Sequence, residues 1–321
     1  MQNIAAESAP AQRPSLIAEV RAFCQTLPNG WLYLALLAVW VTLFHVVGNS
    51  VFGYIDTPSL FQWLIACYRG SDDDSHGALV PIVILVLLWW KHNELQLIPK
   101  RTWWPALGLV ILALFIHVVG YLIQQTRISA VGFFFGVYAL TGLVWGPIWL
   151  KRTFFPMFLL AFSIPVSSIT DPVTFPLRML VSKVAVAVAH GPLGIDVIRE
   201  GSLIFDPKHT FQYDVAAPCS GMRSLMALLA ISTIYSFLTF KSNWKRLLLV
   251  ASAVPFAVAA NVVRVTSVIV AGEAFGQQAG AFIEQKLGFL TFGVAIGGMI
   301  LLGYLLRHWF TSAAESTPIP A

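Results

Sequence analysis

Charge is what this sequence has least of. Only 11% of its 321 residues are Asp, Glu, Lys or Arg, against ~25% in ordinary soluble domains. A chain so poor in charge cannot cover a soluble surface of this size, which excludes a soluble globular enzyme and a disordered tail. Cysteine is scarce as well. The three present have no paired spacing, which excludes a disulfide scaffold and a zinc ribbon. The sequence also lacks an internal repeat of the transporter kind, a low-complexity tract and a heptad run. Its net charge of +5 is not a nucleic-acid signal, because the basic residues mark one side of a membrane.

What is abundant is apolar. Hydrophobic residues make up 57% of the chain, and the mean hydropathy is +0.76. A membrane-spanning helix needs roughly 20 mostly apolar residues to cross ~30 Å of hydrocarbon. Eight runs meet or approach that length: Trp31 to Phe52, Leu79 to Trp90, Trp104 to Ile123, Ile128 to Leu150, Phe154 to Ile169, Cys219 to Phe240, Leu247 to Ala271 and Gly288 to Leu306. The expected fold is an all-α polytopic membrane protein of about eight transmembrane helices. The first run is too long for a cleaved signal sequence and reads as a retained anchor. Eleven Trp residues suit interfacial aromatic belts.

Lys and Arg in the short loops set the orientation. Eleven of the 20 basic residues (Arg13, Arg21, Lys91, Lys100, Arg101, Lys151, Arg152, Lys241, Lys245, Arg246 and Arg307) fall on one side if the spans alternate. Seven fall on the other, and Arg223 and Arg264 lie within spans. Both termini are therefore expected in the cytoplasm. Residues 1–30 form a cytoplasmic segment, 31–310 a single membrane domain and 311–321 a disordered tail. An outer loop over 170–218 precedes span six. Pro172 to His190 carries apolar residues at helical intervals, with Arg178 and Lys183 off that face, and reads as an interfacial helix. From Ile195 to Ala217, Phe211, Tyr213 and Val215 alternate with Gln212 and Asp214. Asp206-Pro207-Lys208 signals a turn, so this half reads as a small β-hairpin.

Polar groups inside a membrane are costly and mark candidate sites. The richest cluster is Pro218-Cys219-Ser220-Gly221-Met222-Arg223-Ser224 at the outer mouth of span six. Pro218 suits a first helical turn. Cys219 would then meet unpaired N–H groups and the positive end of the helix dipole, which favour a thiolate and can hold an oxyanion. Arg223, four residues on, shares its face. Cys219 also reads as a small apolar residue at a helix end, or as a disulfide partner of Cys67 on the oxidising side. In span seven, Arg264 lies about 27 Å above the inner end at helical rise. That matches the depth of Cys219, and Asn261 shares the face of Arg264. A thiol, a cation and backbone amides at one surface are the parts of acyl transfer through a thioester. Asp72, Asp73 and Asp74 read as a solvated acidic loop, and His45 and His117 as helix-contact residues. No metal site has ligand spacing, and no cofactor is implied.

The pattern Cys219-Ser220-Gly221-Met222-Arg223-Ser224, with Asn261-Val262-Val263-Arg264-Val265 and Ser75-His76-Gly77 before an apolar span, resembles the exosortase/archaeosortase family over most of residues 70 to 300. The resemblance implies a cysteine transpeptidase of the bacterial inner membrane with its active site on the extracytoplasmic side. Its partners would be the bilayer and exported proteins bearing a C-terminal motif, a transmembrane helix and a basic cluster, together with an acceptor molecule. It assigns the acyl-thioester to Cys219 and proton donation to Arg264. A third basic residue, His or Arg, usually precedes a glycine near the last span. Here Glu284 stands near that place before Gly288, Lys286 is the nearest cation, and His76 is the histidine of the apposed loop. The sequence suggests a divergent subtype. The rival reading is a transporter or assembly subunit for cell-surface polymers, in which Arg264 and Asn261 line a path for an anionic solute.

Overall fold

A computed structural model describes residues 15–50, 56–71, 73–214 and 222–312. The described residues are mostly helical, and among them four helices are long and apolar enough to cross a membrane: α2 (Gly30–Val47), α7 (Thr126–Trp145), α11 (Asn243–Phe275) and α12 (Gln277–Ser312). Helices α4 (Val80–Trp90), α6 (Ala106–Leu122) and α10 (Met222–Thr239) are shorter or have shorter apolar stretches. Leu34, Val39, Leu85, Val86, Phe115, Leu290 and Val294 all lie more than half exposed on these helices. Side chains of that kind on a regular helix suit contact with lipid, where the backbone must satisfy its own hydrogen bonds. The protein is a helical membrane protein.

The chain divides into two compact units, residues 1–63 with 82–160 and residues 64–81 with 161–321. The boundaries fall inside α3 (Leu60–Gly70) and at the start of α4. In the first unit α6 and α7 form an antiparallel hairpin joined at Gln124, and α2 packs on α7. Trp40 lies flat on Gly136, where any Cβ would overlap the indole ring. The indole N–H donates to Phe133 O at 3.1 Å. Phe44, buried completely, meets the His117 ring at a tilt and the Phe133 ring edge-on, so His117 is a helix-contact residue as expected. At the other end of the unit α1 (Leu16–Gln25) and α5 (His92–Gln96) contribute Phe23 and Leu95 to a cluster with Val144, Trp145 and Trp149.

Two expected spans end early for identifiable reasons. Helix α7 stops at Trp145 rather than Leu150, because Gly146 turns to φ +96° and Pro147 opens α8 (Pro147–Phe158). The run from Phe154 to Ile169 is not one helix. Helix α8 ends at Phe158, a 3-10 turn covers Leu159–Ser163, and α9 (Ser167–His190) begins afresh. Pro165 disfavours helical backbone at Ile164 and lacks an N–H. The break is held instead by the hydroxyl of Tyr68, which donates to Ser163 O, and by Val166 N–H, which donates to Asp74 Oδ1 at 3.0 Å. Asp74 is therefore a buried, 5% exposed acceptor and not part of a solvated loop. It organises the 3-10 turn Ser75–Ala78 as well, accepting from Gly77 N–H at its own carbonyl.

In the second unit α9 leads into three strands, β1 (Ile198–Glu200), β2 (Leu203–Phe205) and β3 (Gln212–Asp214), paired antiparallel in that order. The region expected as a two-stranded hairpin is thus a three-stranded meander. Gly201, at φ +62°, makes the first reversal. Asp206 makes the second: its carboxylate accepts from Lys208 N–H, Thr210 hydroxyl and Phe211 N–H at 2.9–3.2 Å. Burial would raise the Asp206 pKa, but these bonds outweigh it and hold the carboxyl below its ordinary value. Val197, Ile204, Phe211 and Tyr213 of the meander pack on Val181, Ala185 and Ala189 of α9 and on Val265, Val268 and Ile269 of α11. Helices α10, α11 and α12 close a separate core at Leu228, Ala253, Ala257, Ala295 and Met299.

Candidate functional site

Arg264 lies inside α11 on a helix whose neighbouring positions are apolar, with Val265 and Val268 buried on either side of its turn. A guanidinium there is costly unless it is held. One anchor comes from α12: Arg264 Nη2 donates to the backbone carbonyl of Glu284 at 3.0 Å. The guanidinium then runs along Gly288, where a Cβ would touch Arg264 Cζ at 3.6 Å. The anchor uses one of five N–H donors. Among the described residues Arg264 Nε is buried with no hydrogen-bond partner, a deficit that a buried charged group ordinarily makes up with a ligand or water. Asn261, one turn away, is 7% exposed and is also engaged in contacts. The structure thus brings Arg264 and Asn261 onto one turn of α11 and sets Glu284 and Gly288 against Arg264.

Glu284 also faces a small cavity, about 10 Å³, lined by Ile204, Tyr213, Asp214, Val265, Val268 and Ile269. That space admits about one water molecule. Burial, and secondly the charge of Glu284, push the Tyr213 hydroxyl pKa up. Two carboxylates, Asp214 and Glu284, therefore border the same cavity at the end of β3. Lys286 is exposed. Two residues from both Glu284 and Gly288, it points to the other side of α12, since only positions three and four apart share a face. His76 lies in the Ser75–Ala78 turn, half-buried, and its Nδ1 has no hydrogen-bond partner among the described residues. No hydrogen bond joins His76 to Arg264 among the described residues.

Cys219 and Ser220 lie outside the described residues, as does the side chain of Arg223, whose backbone opens α10. Their chain neighbours are described on both sides, Asp214 at the end of β3 and Met222 at the start of α10. Among the described residues no group of three or more His, Cys, Asp or Glu is placed to hold a metal ion.

Sequence reasoning missed the contacts that seat β3. Tyr213 fits between Gly272 and Gly280: a Cβ at Gly272 would stand 2.8 Å from the phenol oxygen, and one at Gly280 would overlap it. Its hydroxyl donates to Gln277 O at 3.1 Å. The Gln277 side chain accepts from Gln212 N–H at 2.7 Å and donates to Gln212 O at 2.9 Å. The available signal was Gly272, Gly276 and Gly280, spaced by four across the joint of two apolar helices. Such spacing is a cue for close approach of a large side chain.

The family model described as transmembrane exosortase matches residues 63–301, about three quarters of the chain. No curated protein and no solved structure matches it.

Proposed function

Because this chain belongs to the transmembrane exosortase family, we propose that it is a membrane cysteine transpeptidase acting on exported proteins at the extracytoplasmic face. Its substrates carry a C-terminal tail consisting of a short motif, a transmembrane helix and a basic cluster. The basic cluster stays in the cytoplasm with both termini of the enzyme, so the motif emerges at the outer mouth of the bundle. On this reading the protein works in the bacterial inner membrane.

Cys219 is the nucleophile. Its thiolate adds to the scissile carbonyl carbon and gives a tetrahedral oxyanion. Collapse breaks the C–N bond, and the proton that left the thiol departs with the amine. An S-acyl bond remains on Cys219. An amine or a water molecule then takes the acyl group and returns a proton to sulfur. Arg264 cannot take the thiol proton at neutral pH. It holds the thiolate and oxyanion by charge and donates toward the leaving amine. Asn261 and Arg223 support that charge from the same mouth, and Glu284 rather than Lys286 takes the place of the third group beside Gly288.

The observation that carries this reading is Arg264: a guanidinium inside an apolar helix, anchored at Nη2, with a buried Nε that has no partner among the described residues. Coexpression with a membrane reporter bearing a candidate sorting tail tests it. Cys219→Ala and Arg264→Ala should each leave the reporter full-length while the protein still inserts, a loss on the order of 10² or more in rate. Processing that survives in Cys219→Ala would overturn the thioester reading.

A further inference from the structure

Far from Gln277, the ends of α10, α11 and α12 are drawn together around one side chain. The loop between α10 and α11 is only Phe240 to Ser242. Phe240 packs with Leu249 of α11 and Leu306 of α12 in a buried cluster. Gly303 sets α12 close to α10 one turn away, since a Cβ there would stand 2.5 Å from Tyr235 Cε1. The three helix ends therefore form one fixed surface.

That surface is cationic. Lys241 follows Phe240 in the chain, Arg307 follows Leu306, and Lys245 Nζ lies 6.0 Å from the centre of the Phe240 ring. Arg246 is held most firmly. Its Nε donates to Phe240 O at 2.8 Å, its Nη1 donates to Asn243 Oδ1 at 3.2 Å, and its Cζ lies 4.4 Å from the centre of the Phe237 ring. These bonds use two of the five guanidinium N–H donors, and among the described residues the other three have no partner. Opposite charge is missing here. The sequence has no Asp or Glu from Met222 to Gly272, nor from Gln285 to Ser312. Like charges gathered at one surface repel one another, and an anion turns that repulsion into attraction.

Beside the cations the surface is apolar. Trp244 and Leu247 on α11, and Ile300 and Tyr304 on α12, are each more than half exposed. Ile300, Tyr304 and Arg307 follow at intervals of four and three, so the cation ends an apolar face of α12. Trp and Tyr are the side chains that settle where hydrocarbon meets headgroups. A soluble anion would use the charges alone. An anionic lipid meets both features, the cations with its phosphate and the apolar strips with its acyl chains.

We propose that the joined ends of α10, α11 and α12 bind an anionic phospholipid, its phosphate against Arg246 with Lys241, Lys245 and Arg307 around it. Arg246 stands about 27 Å along α11 from Arg264, so this site takes no part in the chemistry of transfer.

The test uses the full chain in neutral detergent, titrated with phosphatidylglycerol or phosphatidylcholine whose acyl chains carry bromine, a contact quencher of tryptophan. Phosphatidylglycerol should quench a component of the fluorescence that Trp244→Phe removes, with a midpoint at least about tenfold below that of phosphatidylcholine. Lys241→Gln, Arg246→Gln and Arg307→Gln should each raise the phosphatidylglycerol midpoint about fivefold and leave the phosphatidylcholine midpoint unchanged. Arg246 also closes the loop at Phe240, so the exposed Lys241 and Arg307 keep the test independent of that bond. Equal midpoints for the two lipids overturn the proposal. So does a phosphatidylglycerol preference that survives intact in Lys241→Gln and Arg307→Gln, or quenching that Trp244→Phe does not alter. Displacement of the lipid by millimolar inorganic phosphate, where chloride of equal ionic strength has no effect, makes this a site for a free anion and overturns the lipid assignment.

Discussion

Gly280→Ala puts the seating of β3 under direct strain. In an exposed helix this change stabilises by up to ~1 kcal/mol, because alanine restricts the unfolded chain and favours helix. Here the added methyl would overlap the phenol oxygen and Cζ of Tyr213 and stand 3.1 Å from Cε1. The ring cannot simply swing aside. It is 7% exposed, Gly272 packs so closely that a Cβ there would stand 2.8–2.9 Å from the phenol oxygen and Cε2, and Phe211 stacks at 5.5 Å between centroids. Overpacking of this kind costs about 1–3 kcal/mol, and losing the Tyr213–Gln277 bond adds about 1 kcal/mol. The clash therefore outweighs the helix gain, by roughly 1–3 kcal/mol. Hydrogen exchange followed by mass spectrometry should show protection of residues 203–214 falling between about 5-fold and about 150-fold. Tyr213→Leu, which removes the colliding atoms, should cost less in the Gly280→Ala background than in the native one. A Gly280→Ala chain as protected as wild type, or losses that simply add, would refute the packing argument.

Close packing in the first unit and the hydrogen bonds of the meander lead to two further outcomes. Gly136→Ala, whose methyl would overlap the Trp40 indole, should destabilise the first unit by about 1–3 kcal/mol, read as a lowered thermal midpoint, with residues 203–214 as protected as before. Because hydrogen bonds hold Asp206 below its ordinary pKa, its contribution to the meander is complete above about pH 4. It is lost as pH falls from there through the lowered folded-state value. Exchange protection of residues 203–214 should drop over that acid range in wild type, and Asp206→Ala should start lower and stay flat.

How far the sequence foretells this molecule depends on whether a signal is local. Apolar runs such as Trp31 to Phe52 announce α2, and the periodic apolar residues of Pro172 to His190 announce α9, because helices close their hydrogen bonds within a few residues. The turn at Asp206-Pro207-Lys208 is equally local, since the carboxylate bonds its own chain neighbours. Arg264 stands out by the same logic, a charge in an apolar run. The docking of β3 is different. Tyr213 and Gly280 are 67 residues apart, and only the fold makes them neighbours. The burial of Asp74 is hidden likewise: three successive aspartates look solvated, and the N–H that captures one of them lies at Val166. Lys286 illustrates a nearer limit. It is the cation nearest Gly288 in sequence, yet the helical period sets it off the face that Gly288 shares with Glu284.

The measurement that bears most directly on the account is mass spectrometry of the purified chain after reaction with a membrane substrate bearing a sorting tail. An acyl adduct on Cys219, released by hydroxylamine, absent in Cys219→Ala and formed more slowly in Arg264→Ala, is the predicted result. A Cys67–Cys219 disulfide in the active protein, or processing of the substrate with no adduct at Cys219 under single-turnover conditions, would contradict it.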